Sequence, residues 1–116
     1  MSKKEKTHGN SKKSKKKQHI YKIEDSKIPI QDKTFKFGIS GTALNKNGSS
    51  TRANMQVNLL NKLTGDVKRF FAIILKIDID GRLDVLDLEE KYVRDYKKEN
   101  NTLFPPPGQK RPNPEI

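Results

Sequence analysis

Hydrophobic positions alternate with polar ones in three stretches of the chain and recur at helical spacing in two others. His19 to Ile23 reads as a first strand. Gln31 to Ile39 reads as a second, with Phe35, Phe37 and Ile39 on one face and Thr34, Lys36 and Gly38 on the other. That period of two is expected of a half-buried strand. Pro29 keeps the connection between them from pairing. Gly41 to Ser50 is loop, with a turn signal at Asn47-Gly48. Ser50 or Thr51 caps a helix from about Arg52 to Lys62, with Met55, Leu59, Leu60 and Leu63 as its apolar stripe and Gly65 suited to its end. Arg69 to Ile79 is the strongest strand, apolar on both faces over its first half as a central strand would be. Gly81 turns the chain into a long helix from about Arg82 to Lys98. The order β-β-α-β-α predicts an α+β domain: a small, three-stranded, mostly antiparallel sheet with flanking helices.

Two charges interrupt the helical stripes. On the last helix, Leu88, Tyr92, Val85, Tyr96, Val93 and Leu86 fall within an arc of roughly 160° at 100° per residue. Glu89 falls inside that arc, whereas Glu90 lies beyond its edge. A carboxylate on a packing face is costly unless it has a partner, a hydrogen-bond set or a metal. On the first helix Arg52 projects between Leu59 and Leu63, toward the sheet. One account is an Arg52–Glu89 salt bridge at the rim of the core. The other is a polar site.

Charge divides the chain. The 116 residues carry a net +11, and eight lysines against one glutamate put +7 of it in residues 1–20. Residues 1–18 form a low-complexity basic tail expected to be disordered. Residues 19–104 form the domain, and residues 105–116 a Pro-rich extended tail. That tail could also serve as a polyproline ligand. The excess charge points to polyanions, nucleic acid or an anionic membrane face, and says nothing of fold. Without cysteine there is neither a disulfide framework nor a thiolate metal site. The longest apolar run, FFAIIL at 70–75, is strand-sized, so no membrane span is expected. The lysine-rich start has no apolar core for a signal peptide. A soluble chain follows, cytoplasmic or delivered into a target cell's cytoplasm. Asp78, Asp80 and Asp84 around Gly81 lack the spacing of a calcium loop, His8 and His19 are not at zinc-ligand spacing, and no P-loop occurs.

These residues resemble the signatures of the GIY-YIG nuclease superfamily over about residues 19 to 101. His19-Ile20-Tyr21 is similar to the first signature, and Lys36-Phe37-Gly38 to the second, followed by Ile39-Ser40. His19 stands where the family has Gly, and Lys36 where it has its second Tyr. Arg52 matches the family's helical arginine. Val85-Leu86-Asp87-Leu88-Glu89 matches the run that ends on the metal-binding glutamate, and Asn101 or Asn100 the later asparagine. The stretches FGISG, LNKNGSS, RANMQVN, Gly81-Arg82 before the last helix and the closing G-x-K-R-P of residues 108–112 resemble C-terminal nuclease toxin domains of bacterial contact-dependent and other polymorphic systems. The resemblance implies a metal-dependent endonuclease using Mg²⁺ or another divalent ion. Tyr21, Lys36, Arg52 and Glu89 would be catalytic, with Glu89 holding the metal. His19, Ser40, Asn101, Lys110 and Arg111 would contact substrate. It also implies DNA or RNA as substrate and a cognate immunity protein as partner. A non-catalytic basic nucleic-acid-binding protein explains the charge equally well, and a protein-interaction module explains the two tails.

Overall fold

The computed structural model describes residues 16–109. Three strands, β1 (Lys17–Asp25), β2 (Thr34–Ser40) and β3 (Phe70–Asp80), and two helices, α1 (Thr51–Thr64) and α2 (Arg82–Glu99), follow one another as β1-β2-α1-β3-α2. The sheet has the order β2-β1-β3, antiparallel throughout. The α+β architecture is thus the one the periodicity calls for, with β1 starting at Lys17 rather than His19.

Successive residues of β1 serve opposite faces, and each face takes one helix. Tyr21 and Ile23 pack with Ala53, Val57 and Leu60 of α1 and with Phe70, Ala72 and Ile74 of β3. Ile20 packs with Ile39, Ile79 and Val85, and Phe37 with Val93 and Tyr96, beneath α2. The central strand is therefore β1, not β3. β3 lies at an edge, and because α2 packs chiefly over β1 and β2, Phe71, Ile73 and Ile77 stay exposed. Apolarity on both faces of β3 is real, but it did not require a neighbour on both edges.

Two further expectations change. Phe35 does not share the face of Phe37 and Ile39. The register slips between Ile23 and Glu24, where Ile23 faces Lys36 but Glu24 faces Thr34. This bulge turns Phe35 to the α1 side, edge-on to Phe70 with ring centroids 5.2 Å apart. Helix α1 is also rotated from its expected stripe. It buries Ala53 and Asn61 and leaves Met55, Leu59 and Leu63 exposed. Polar bonds at its two ends hold that rotation. The Asn61 amide accepts from Phe70 N–H at 2.8 Å and donates to Phe70 C=O at 3.2 Å, acting as a one-residue partner for the start of β3. Ser50 accepts from Ala53 N–H at the first turn, and its Oγ lies 2.8 Å from His19 Nε2, which ties that end to β1. Gly65, with φ 72°, ends the helix in the left-handed cap conformation.

The far end of the sheet is pinned by Arg69, which donates to both carboxylate oxygens of Asp25 at 2.8 and 3.0 Å. Those hydrogen bonds hold the Asp25 carboxyl below its ordinary pKa, against the opposing effect of burial. A depressed native value means that the pair stabilises the fold above the unfolded carboxyl's pKa, near 4. The contribution is lost as pH falls through the native value. Arg69→Met is accordingly expected to destabilise the fold measurably at pH 7. Its unfolding free energy should begin to approach wild type below about pH 4 and meet it only once pH has fallen through the depressed native value, which urea titrations at several pH values would reveal.

Candidate active site

One cleft of about 110 Å³ draws its walls from every layer of the fold. Tyr21 comes from β1, Lys36 to Ile39 from β2, Arg52 and Gln56 from α1, Glu89 from α2, and Gly108 and Gln109 from the segment after α2. Its lining takes residues from both faces of the sheet, so the cleft lies at the outer edge of β2.

Tyr21 is placed by an absence opposite it. The register pairs it with Gly38, and its ring lies across that glycine so closely that a Cβ there would stand 2.4 Å from Cζ and 2.5 Å from the hydroxyl oxygen. Glycine in a strand interior commonly marks such a close approach. The hydroxyl donates to Gln56 Oε1 at 2.7 Å. Lys36, half-buried, pairs with Ile23 and so shares the face of Tyr21. Arg52 and Gln56 stand one helical turn apart on α1, on one side of it.

Glu89 completes the cleft from the opposite side of the sheet. It takes its place in the buried stripe of α2, with Arg82, Val85, Val93 and Tyr96, and is 3 % exposed. The suggested Arg52–Glu89 salt bridge does not form. Among the described residues Arg52 takes part in no salt bridge, and it is exposed at the cleft wall. The two groups border one space without neutralising each other.

The remaining candidates are distributed differently. His19 lies outside the cleft lining, buried at 3 % exposure, with Nε2 2.8 Å from Ser50 Oγ. Burial lowers its pKa. Because Ser50 caps α1, His19 supports the helix turn that carries Arg52. Ser40 lines a neighbouring hollow of about 250 Å³, shared with Thr42, Thr51, Arg52, Met55 and Gln56. Its hydroxyl accepts from Thr42 N–H at 3.0 Å. Asn101, exposed with φ 51°, borders a different hollow with Lys97, Lys98, Thr102 and Leu103. Asn100 ties the end of α2 to Asp32 at 2.9 Å. Lys110 and Arg111 lie outside the described residues, as does residue 1–15 of the basic tail. Gln56 and Gln109 are cleft residues that the sequence reading missed. The spacing of four from Arg52 pointed to Gln56, whereas nothing in the local sequence signalled Gln109.

The donor set bears on a metal. No group of three or more His, Asp or Glu side chains forms a ready cage among the described residues. Among the described residues Glu89 is the one carboxylate lining the cleft. Mg²⁺ keeps several waters and commonly binds through one or two carboxylates together with substrate phosphate. A buried carboxylate in a cleft that would hold a phosphate on two cationic side chains fits that mode, and Glu89 is the residue that would serve as protein ligand.

Comparison with known proteins puts the chain among toxin-type domains of the kind found in polymorphic systems. The family model described as URI fold toxin 2 matches residues 2–101, and the chain belongs to that family. No curated protein and no solved structure matches it. Among the described residues no helix is long and apolar enough to cross a membrane.

Proposed function

We propose that this toxin domain is a metal-dependent endonuclease of the GIY-YIG type that hydrolyses phosphodiester bonds in nucleic acid. The observation that carries this reading is the meeting of Tyr21, Lys36, Arg52 and Glu89, from four separate elements, around one cleft. A purely binding role leaves a buried carboxylate at a cationic cleft without a purpose, since nucleic acid would be repelled by it.

In this reading Arg52 grips the scissile phosphate with charge-assisted hydrogen bonds that tighten as negative charge builds. Lys36 holds a second oxygen as a compact positive charge. Tyr21 directs its hydroxyl proton at Gln56, so its phenolic oxygen meets the attacking water as an acceptor and orients it toward phosphorus. The water's oxygen forms the new P–O bond while the bond to the leaving sugar oxygen breaks; the water gives up its proton to solvent at the cleft mouth, and the leaving oxygen takes one from solvent. Glu89 holds the divalent ion, which when bound supplies electrostatic stabilisation of the phosphate and leaving oxygens. The partner expected of such a toxin is an immunity protein that blocks the cleft.

Incubation of the purified chain with plasmid DNA and with RNA, with Mg²⁺ and then with a chelator, tests the reading. Cleavage that needs the metal supports it; binding without cleavage of either polymer refutes it. Arg52→Ala should slow cleavage about 10- to 100-fold, the scale of a hydrogen bond to a charged group, without altering the melting curve. Lys36→Tyr retaining activity where Lys36→Met loses it would give Lys36 a proton-handling role; equal losses would leave it the role of a fixed charge.

A further inference from the structure

The chain does not leave the domain at the end of α2. Pro106 is fully buried between exposed Pro105 and Pro107, and the next two residues lie along the outer edge of β2. Gly108 N–H donates to Phe35 C=O at 2.7 Å. Gln109 N–H donates to Pro106 C=O at 3.0 Å and closes a turn. The Gln109 side chain then reaches both walls of the cleft. Its Oε1 accepts from Phe37 N–H at 2.6 Å, and its Nε2 donates toward Glu89 Oε2 at 3.4 Å. The direction of that amide is fixed by chemistry: the Phe37 backbone N–H needs an acceptor, which leaves the amide's N–H donors to face Glu89. The docking also depends on glycine. A Cβ at position 108 would stand 2.3 Å from the Phe35 ring.

We infer that Gln109 is a positioning residue for Glu89, so that the segment after α2 is a working wall of the catalytic cleft and not only the end of the chain. One planar amide links the β2 backbone to the α2 carboxylate, and thereby sets the carboxylate relative to the strand that carries Lys36 and Gly38. Among the described residues β2 is an edge strand, with no neighbouring strand on this side. Gln109 and Gly108 supply the partners that a fourth strand would otherwise give to Phe37 N–H and Phe35 C=O. The consequence for catalysis rests on the nuclease reading; the contact itself does not.

Three variants separate the roles. Gln109→Glu keeps an acceptor for Phe37 N–H but replaces the donor facing Glu89 with an oxygen. Gln109→Leu removes both. Gly108→Ala lifts the segment. In Gln109→Glu the Phe37 amide should keep its slow hydrogen exchange and KM should stay within about twofold, while kcat falls about tenfold or more, as misplaced catalytic groups produce. Gln109→Leu and Gly108→Ala should lose the protection of Phe37 as well as kcat. A wild-type kcat in Gln109→Glu would reduce the segment to an edge cover and overturn the inference. So would a rise in kcat when the chain is cut after Pro107, since the segment would then be a plug. A metal-free measurement stands apart from activity: Glu89→Gln should shift the Gln109 side-chain amide resonances. Unmoved resonances would overturn the inference whatever the enzyme does, whereas a chain that shifts them but cuts nothing would overturn only the nuclease reading.

Discussion

Glu89→Gln is expected to lower phosphodiester cleavage by about a hundredfold or more and to leave the melting temperature unchanged or raised. The two effects have opposite signs because the carboxylate is costly where it sits. At 3 % exposure it has lost most of its hydration, and a buried charge repays that loss only through its partners. Glutamine keeps the shape and a hydrogen-bonding head for partners such as Gln109 and removes the charge, so relief of desolvation offsets what those partners lose. What glutamine lacks is the negative charge, so its neutral amide oxygen would hold a divalent cation against a phosphate far more weakly. Cleavage rates and thermal melts on the same preparation would read both effects. A variant that melts earlier yet cuts at the wild-type rate would make Glu89 a structural ion and remove it from the mechanism.

Position 89 also shows what kind of information the sequence carried. A helix with an 18-residue run has enough turns to define its buried arc, and a charge inside that arc is conspicuous against its neighbours. The same periodicity failed on α1, because the rotation of that helix is held by hydrogen bonds of Asn61 with β3 and of Ser50 with His19 of β1 instead of by its leucines. It failed again at Phe35, because one extra residue in a strand reverses which face it serves, and a bulge has no signature in an alternating pattern. Strand order was hidden for a related reason. β3 carries the longer apolar run, but centrality is decided by which strand both neighbours bond to, and that strand is β1. The site residues on regular elements were therefore legible one at a time. Their convergence depended on long-range returns of the chain, of which the return of Gln109 to β2, across 72 residues from Phe37, is the least visible locally.

The other large effect should come from a position with no side chain at all. Gly38→Ala would add a methyl group 2.4 Å from Tyr21 Cζ and 2.6 Å from Cε1, distances that no carbon pair tolerates, so the ring must move. It has little room: Tyr21 is fully enclosed, its hydroxyl is held by Gln56, and its ring packs with Ile23, Ala53 and Phe70. Overpacking of this kind typically costs about 1–3 kcal/mol, or roughly 4–8 °C of melting temperature for each kcal/mol in a domain of this size. Cleavage should fall about a hundredfold in the molecules that remain folded, the penalty of moving a reacting group by about an ångström. A double-mutant cycle isolates the cause. If the methyl acts through the ring, Tyr21→Leu should cost distinctly less stability in the Gly38→Ala background than in wild type, a coupling of about 1 kcal/mol or more. Additive losses would mean that glycine is needed at position 38 for some other reason, and a stable, fully active Gly38→Ala would mean that the phenol does not have to lie over β2 for the cleft to work.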